Sequence, residues 1–379
     1  MKKKPFVILA IFIYMFGFFD GKYQVFFYKG IKYIYEVTGL PIPGKSSKNK
    51  DPLLYNNIHT EEEIASFIKI YNNDDVESFR KKLNTIIFGE KTNLSNNKMM
   101  QSVQPDFRQV NYRDNIIKQS ITINMEKNIN SILDVYIPKL HNNRLLIYYH
   151  GHPDSYSTDY MWVIDSFLEK NFVVMAVNLP LQGDNSQPYV DIDNVGKVKF
   201  TSHDHFKFID HPLSYFIYPV IKGINILSNQ LNIDDYSIIG LSGGASMTTI
   251  VAALDTRIKN TYAVSTQYPL FLTDVWDQDY GDYESTYPDL IKDIGYLNIY
   301  ILASMGVDRH YTQIFNLYDG DYSGGLKYKA YEKIIKSQVD YLSGGSGRGG
   351  DFNIISANTI GHKISRETFD LIYADICKH

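Results

Sequence analysis

The chain of 379 residues is 44% hydrophobic and 21% charged, a composition that excludes a disordered chain and allows one large globular domain with an extension. Its formal net charge of −4, with lysine and arginine scattered along the chain, argues against a nucleic-acid-binding protein, because no basic surplus is available to neutralise phosphates. The single cysteine, Cys377, excludes an intrachain disulfide and a structural zinc site built on cysteines.

The N-terminal segment is the first predicted element. Three lysines at residues 2–4 precede an uncharged, mostly apolar run over residues 5–19, which is typical of an export signal. Bulky residues, Phe18 and Phe19, stand where a signal peptidase needs small ones. We therefore assign residues 1–40 to an anchor or signal region and predict an uncleaved membrane anchor, with the rest of the chain outside the cytoplasm. A buried N-terminal helix is the alternative, since the run is shorter than the about 20 residues of a full span.

A linker and an N-terminal helical extension are predicted over residues 41–114. Residues 41–52 are rich in proline, lysine and serine, which is the composition of a linker. Two segments start with a helix N-cap residue followed three positions later by glutamate: Thr60 with Glu63, and Asp74 with Glu77. Gly89 is suited to end the second helix, and the polar residues 90–110 are predicted to be irregular.

From residue 115 onward the sequence predicts a hairpin and then strands that alternate with helices. The predicted strands are 115–125 and 129–138 in the hairpin, then 145–149, 172–178, 236–241, 260–265 and 352–357. The predicted helices are 160–170, 214–230, one from Ala245 to Leu254, one near 328–342 and a last one from Ser365. This alternation indicates an α/β fold with a mostly parallel central sheet that helices cover on both faces.

The strand over residues 236–241 runs into a Gly-x-Ser-x-Gly pentapeptide with Ser242 at its centre. A strand, a sharp turn and a helix with serine at the apex predict a nucleophile elbow. Such a turn exposes the hydroxyl and directs the backbone N–H of the next residue, Gly243, at a developing oxyanion. The flanking glycines, Gly240 and Gly244, have no side chain, and this allows the strand and helix to pack closely around the corner.

A serine nucleophile requires a base, and His362 is our candidate. His362 lies after the last predicted strand and before the last predicted helix. A loop at this position can carry an imidazole across the sheet edge to Ser242.

The acid that orients the base has two candidates. Asp319 follows the apolar run 313–318, and Asp308 follows the apolar run 297–304. We favour Asp319, because a penultimate strand at 313–318 leaves a single helix between the last two strands and makes 297–304 a helix. Either aspartate can alternatively be an ordinary turn residue or helix cap.

Histidine-containing segments offer a candidate for a second oxyanion donor and two patterns that resemble metal-binding motifs. The backbone N–H of His152, in the His-Gly-His tripeptide after the strand 145–149, is our candidate for the second oxyanion donor. This tripeptide begins like a metallo-hydrolase signature, but Ser155 occupies the place of its third histidine. His203, His205 and His211 form another cluster, which we interpret as a polar lid or pocket wall. We therefore predict no metal and no cofactor.

The order of Ser242, Asp319 and His362, with the elbow glycines and the early His-Gly, resembles the α/β-hydrolase superfamily, in particular its bacterial serine esterases. The resemblance covers residues 115–379 and implies a Ser-His-Asp triad on a mostly parallel sheet flanked by helices. We interpret residues 183–215 and 266–296 as cap insertions whose aromatic residues line the pocket or, alternatively, serve as packing residues.

The function predicted from these residues is a membrane-anchored or exported serine hydrolase of carboxylic esters. It works through an acyl-enzyme on Ser242, on a small-molecule or glycan ester, with an extracytoplasmic catalytic domain. A non-catalytic binding protein of the same fold and an acyltransferase that modifies a surface glycan are the alternatives. Acetyl ester, lipid, peptide and thioester substrates stay open, as does the oligomeric state.

Overall fold

A computed structural model describes residues 59–90, 106–152, 155–272, 281–320, 323–344 and 349–377. The predicted anchor region at 1–40 and the predicted linker at 41–52 lie outside these ranges. Within them, no helix has the length and apolar character needed to cross a membrane.

Strands across these ranges form one large sheet and one small hairpin. They are β1 (Asp106–Arg113), β2 (Ile116–Asn124), β3 (Asn130–Pro138), β4 (Arg144–Tyr149), β5 (Val173–Val177), β6 (Tyr189–Ile192), β7 (Gly196–Lys199), β8 (Asp235–Leu241), β9 (Ile258–Val264), β10 (His310–Tyr318) and β11 (Asp351–Ile360). The large sheet has nine strands in the order β1-β2-β3-β5-β4-β8-β9-β10-β11, and β6 pairs with β7.

The sheet is mostly parallel, as predicted. Strands β1 to β3 form an antiparallel meander, β3 pairs antiparallel with β5, and the remaining neighbours from β5 to β11 are parallel. Both faces of the parallel part are buried. In β4, Leu145 and Ile147 belong to the core on one face, and Leu146 and Tyr148 belong to the core on the other. Burial on both faces explains the continuous apolar runs of these strands.

Helices cover the two faces. They are α1 (Glu61–Ala65), α2 (Asn73–Phe88), α3 (Tyr156–Asp159), α4 (Met161–Leu168), α5 (Ser214–Gln230), α6 (Gly243–Leu254), α7 (Tyr283–Thr286), α8 (Pro288–Asp293), α9 (Tyr296–Ser304), α10 (Glu332–Leu342) and α11 (Arg366–Ile376). The predicted helix 214–230 is confirmed at both ends. The run 297–304 is helical, and β10 is the penultimate strand, with α10 between it and β11.

Two local predictions are wrong. Residues 90–110 are not irregular throughout, because β1 begins at Asp106 and pairs with β2. The second helix is capped by Asn72, whose side chain accepts from the N–H of Asp75, and not by Asp74. The predicted helix 160–170 is confirmed as α4, which runs from Met161 to Leu168, and the short helix α3 precedes it. The capping box at Thr60 with Glu63 and the helix stop at Gly89 are confirmed.

Helix α2 packs on the hydrophobic core and contacts the far end of α6. Buried side chains of α2, Leu83 and Ile87 among them, join the core that contains α6 and α9. Arg80 donates from Nε to the carbonyl oxygen of Ala253 at 2.9 Å and from Nη2 to that of Leu302 at 3.2 Å. These carbonyls lie at the C-terminal ends of α6 and α9, where a cation is favourable for the helix dipole.

Candidate active site

Ser242 lies on a strained corner between β8 and α6. Its backbone has φ 58° and ψ −126°, and α6 begins at the next residue. A non-glycine residue with positive φ costs about 1–3 kcal/mol and persists only where the surroundings fix it. Here the N–H of Ser242 donates to the carbonyl oxygen of Val264 in β9, and its own carbonyl accepts from Ala245 at the start of α6, both at 2.9 Å. The predicted strand–turn–helix with serine at its apex is therefore present.

The glycines of the pentapeptide are required by close packing. A Cβ at Gly240 would lie 2.6 Å from Cα of Ala245, and one at Gly244 would lie 2.3 Å from the carbonyl oxygen of Tyr149. Real Cβ atoms essentially never make contacts this short. The end of β4 thus lies directly against the elbow.

The acid and base candidates follow two neighbouring strands. Asp319 comes directly after β10, and His362 lies in the loop between β11 and α11. Since β10 and β11 pair in parallel, with Tyr318 opposite Ile360, both residues emerge at the same edge of the sheet. Nδ1 of His362 lies 2.8 Å from Oδ2 of Asp319, whose side chain is fully buried. The structure therefore brings these two residues together, while their catalytic roles stay a prediction.

The alternative acid, Asp308, lies at the other end of the same strand. It precedes β10 in the turn after α9 and has φ 53°. The run 297–304, which would have to be a strand for Asp308 to follow it as the acid, is helix α9. The length of β10 thus separates Asp308 from the edge at which Asp319 and His362 meet.

Asn316 holds the loop of the base candidate, and the sequence did not single it out. This fully buried residue of β10 donates from Nδ2 to the carbonyl oxygen of Gly361 at 2.9 Å and to that of Lys363 at 2.8 Å. The two carbonyls lie on either side of His362. The only sequence signal for this role is a side-chain amide within an apolar run. Its hydrogen-bond partners lie more than 40 positions away along the chain, so the sequence does not indicate them.

Ser265 connects the acid candidate to the elbow. It directly follows β9 and donates its hydroxyl to Oδ2 of Asp319 at 2.9 Å. The residue before it, Val264, accepts the N–H of Ser242. The elbow and the Asp319 carboxylate are therefore held by consecutive residues, Val264 at the end of β9 and Ser265 directly after it.

His152 lies beside the start of α6. A Cβ at Gly151 would lie 2.6 Å from Cβ of Ser242, and one at Gly243 would lie 3.0 Å from Nδ1 of His152. The loop after β4 thus contacts both the elbow serine and the residue after it. That position suits the N–H groups of Gly243 and His152 to an oxyanion hole, and this role stays a prediction.

The second predicted histidine cluster is not formed as a group. Nδ1 of His205 accepts from the N–H of Thr201 at 3.2 Å, and Nδ1 of His211 lies 3.2 Å from the carbonyl oxygen of Ile86. Only His203, in the 3₁₀ segment His203–Phe208, is buried and faces the loop after β4.

His203 instead joins His152 and two acidic residues. Nδ1 of His203 lies 2.8 Å from Nε2 of His152 and 2.8 Å from Oε1 of Glu284, and Nε2 of His152 lies 3.1 Å from Oδ2 of Asp282. No sequence pattern pointed to Asp282 or Glu284, because His203 is separated by 51 positions from His152 and by 81 from Glu284.

Burial and mutual charge shift the pKa values of this group. Burial lowers the pKa of His152 to about 4, and the neighbouring His203 adds to the shift. Burial also acts to lower the pKa of His203, but the Glu284 carboxylate, the Pro180 carbonyl and Asp282 together outweigh it, so this pKa is raised. Burial acts to raise the pKa of Glu284, but the two histidines lower it below its ordinary value.

The sheet order, the covering helices and the elbow between β8 and α6 define an α/β-hydrolase fold, as the sequence predicted. Insertions lie between β5 and α5 and between β9 and α9, at the predicted cap positions.

Solved structures of esterases share this fold. No protein-family model matches the chain, and no curated protein matches its sequence. Acetyl xylan esterase 1 from Thermoanaerobacterium sp. JW/SL YS485 is 14% identical, with a TM-score of 0.53, over 84% of this chain and 98% of that chain. The acetyl xylan esterase from Paenibacillus sp. R4 is 13% identical, with a TM-score of 0.52, over 85% of this chain and 100% of that chain. The glucuronoyl esterase from Solibacter usitatus is 12% identical, with a TM-score of 0.50, over 79% of this chain and 91% of that chain.

Proposed function

We propose that this protein is a serine hydrolase of carboxylic esters that acts through an acyl-enzyme on Ser242. The observation that carries the proposal is the 2.8 Å contact between His362 and the buried Asp319, at the sheet edge where the strained elbow presents Ser242. A nucleophile on a corner, an imidazole and a carboxylate that orients it are the parts of a Ser-His-Asp triad.

The reaction follows from the roles of these groups. Oγ of Ser242 attacks the ester carbonyl while Nε2 of His362 takes the serine proton and then gives it to the leaving alcohol. Asp319 accepts the Nδ1–H of His362, which keeps Nε2 free to act as the base. In the second half, His362 removes a proton from water, which attacks the acyl-enzyme, and His362 then returns this proton to Oγ of Ser242 as the bond to the acyl group breaks and the acid is released. The N–H groups of Gly243 and His152 stabilise both oxyanions.

The substrate is a small-molecule or glycan ester. The acetyl xylan and glucuronoyl esterases that share the fold act on esters, as their names state, and this supports an ester substrate over other acyl compounds. No cofactor is needed for this chemistry, and the net charge of −4 gives no support to a nucleic-acid partner.

A fluorophosphonate probe tests the proposed nucleophile, because it reacts covalently with activated serines. We expect one labelled peptide, which contains Ser242, and no labelling of Ser242→Ala. Ser246→Ala is the matched control, since Ser246 is also buried in the first turns of α6 and its loss leaves the nucleophile intact. Absence of labelling in the folded wild-type chain would favour the non-catalytic binding alternative.

We also propose that the protein is membrane-anchored or exported, with the catalytic domain outside the cytoplasm. The support is the basic start and the apolar run over residues 5–19. Cell fractionation is expected to find the full-length chain in the membrane pellet, released by detergent and not by high salt. A variant without residues 1–40 is expected in the soluble fraction. Recovery of a soluble, N-terminally trimmed wild-type protein would identify a cleaved signal instead.

A further inference from the structure

Four side chains beside the elbow direct potential metal-ligating atoms at one another. His152, His203, Asp282 and Glu284 each offer one such atom, and these atoms all lie within 4.8 Å of one another. Tetrahedral zinc with bonds of about 2.1 Å keeps its ligand atoms about 3.4 Å apart. The observed separations lie around that value. Nδ1 of His203 is 2.8 Å from Nε2 of His152 and 2.8 Å from Oε1 of Glu284, and Nε2 of His152 is 3.1 Å from Oδ2 of Asp282 and 3.9 Å from Oε1 of Glu284.

The tautomer of His203 leaves its inner nitrogen available as a ligand. Nε2 of His203 lies 2.8 Å from the carbonyl oxygen of Pro180, which can only accept a hydrogen bond, so Nε2 carries a proton. Metal-ligating histidines typically donate their other ring N–H to a backbone carbonyl or carboxylate in this way. Nδ1 of His203 then faces Nε2 of His152 and Oε1 of Glu284.

With both carboxylates ionised, no placement of protons satisfies the three shortest contacts in the cluster. A proton on His203 Nδ1 alone leaves the lone pair of His152 Nε2 against the Asp282 oxygen. A proton on His152 Nε2 alone leaves the lone pair of His203 Nδ1 against the Glu284 oxygen. Protons on both nitrogens place two N–H groups against each other across 2.8 Å. A cation at the centre of the cluster would accept these nitrogen lone pairs and the carboxylate oxygens as ligands, so the repulsion between them would be replaced by attraction to the ion.

Glu284 provides an independent observation. Its side chain is only 1% exposed, and its Oε2 has no hydrogen-bond partner in the part of the chain that the structure describes. A buried carboxylate oxygen without a partner is costly, because it has lost its hydration without compensation. A cation at Oε1 would offset this cost by neutralising the carboxylate.

We propose that His152, His203, Asp282 and Glu284 bind one divalent transition-metal ion, with zinc as the best fit. Two imidazole nitrogens favour zinc and its neighbours over magnesium and calcium, which prefer oxygen ligands alone. The ion would join the two insertions to the loop after β4 and would fix His152 beside Gly243. No metal was predicted from the sequence, and the four residues come from three segments that lie far apart along the chain.

The test is zinc binding by the full-length chain, purified in detergent and stripped with EDTA. Calorimetric titration with zinc chloride is expected to give one equivalent bound, and zinc is expected to raise the thermal unfolding midpoint. Calcium and magnesium chloride are expected to give no saturable binding. His203→Ala and Asp282→Asn should each weaken zinc affinity by more than the 10–100-fold typical of a lost outer partner.

Two controls make the result decisive. His205 lies in the same 3₁₀ segment as His203, but its ring accepts a hydrogen bond from Thr201 outside the cluster. The His205→Ala protein should therefore bind zinc with the affinity of the wild type. Asp282→Asn changes a side chain that is 43% exposed, so it tests the site even if His203→Ala does not fold. Absence of saturable zinc binding, or equal affinity in Asp282→Asn and the wild type, would overturn the proposal. Titration of Ser242→Ala keeps this result independent of ester hydrolysis.

Discussion

Ser242→Ala is expected to abolish ester hydrolysis while the protein stays folded. The substitution removes the oxygen proposed to attack the ester but keeps the Cβ that packs against the loop after β4. Loss of a triad nucleophile lowers kcat by about 10⁴-fold or more, with the remainder supplied by binding and oxyanion stabilisation. The measurement is kcat and KM for a short p-nitrophenyl ester, together with the thermal unfolding midpoint.

Ser246→Ala is the matched control for this experiment. Both serines are buried at the start of α6, and only Ser242 stands at the apex with positive φ. Near-wild-type turnover by Ser246→Ala and a few per cent or more by Ser242→Ala would together exclude Ser242 as the nucleophile.

Asp319→Asn is expected to lower kcat by about 10³–10⁴-fold with little change in KM. In the proposed triad the carboxylate accepts the Nδ1–H of His362 across 2.8 Å, whereas an amide that presents its N–H₂ there would stabilise the wrong tautomer. Because this interaction stabilises the transition state more than the bound substrate, the loss appears in kcat. Steady-state kinetics on the same ester measure it, and equal thermal midpoints would show that the isosteric change leaves the fold intact.

Asp308→Asn provides the comparison for Asp319→Asn. Asp308 lies at the opposite end of β10, so its substitution is expected to affect kcat only mildly. The reverse ranking, with Asp308→Asn nearly inactive and Asp319→Asn mild, would contradict the assignment of Asp319 as the acid.

The central part of the fold was predictable because its signals are local and strong. Helix α5 has apolar residues at helical spacing, and β4 and β5 are short apolar runs that occur where a strand is buried on both faces. The glycines around Ser242 indicate a close approach of backbones that the structure contains. The choice between Asp319 and Asp308 as the residue after the penultimate strand followed from chain connectivity alone.

The predictions that were wrong lie where the local signal is weak. The start of α2 offers Asn72, Asn73, Asp74 and Asp75 in succession, each a good cap, and only the reciprocal hydrogen bonds identify Asn72. Strand β1 is almost entirely exposed at the sheet edge, so it has no alternation of apolar residues. Its identity depends on pairing with β2.

The candidate site was predictable only in part, for a similar reason. Ser242 and His362 occupy positions that sequence order indicates. The contacts of Asn316, Asp282 and Glu284 depend on chain segments that meet only after folding. Acidic residues number 42 in the chain, and nothing in the sequence distinguishes Glu284 from the others.

The contact of Arg80 with Ala253 gives the N-terminal helices a part in supporting the proposed nucleophile. Helix α6 carries the elbow at its first residue, and Arg80 holds the carbonyl of its penultimate residue. A protein shortened to start after residue 90 would retain every proposed catalytic group, yet it would expose the apolar surface under α2 and leave Ala253 without this donor. Inactivity of such a fragment would therefore indicate that α6 had lost the packing that stabilises its C-terminal end. It would give no information about the catalytic role of the residues at the N-terminal end of α6.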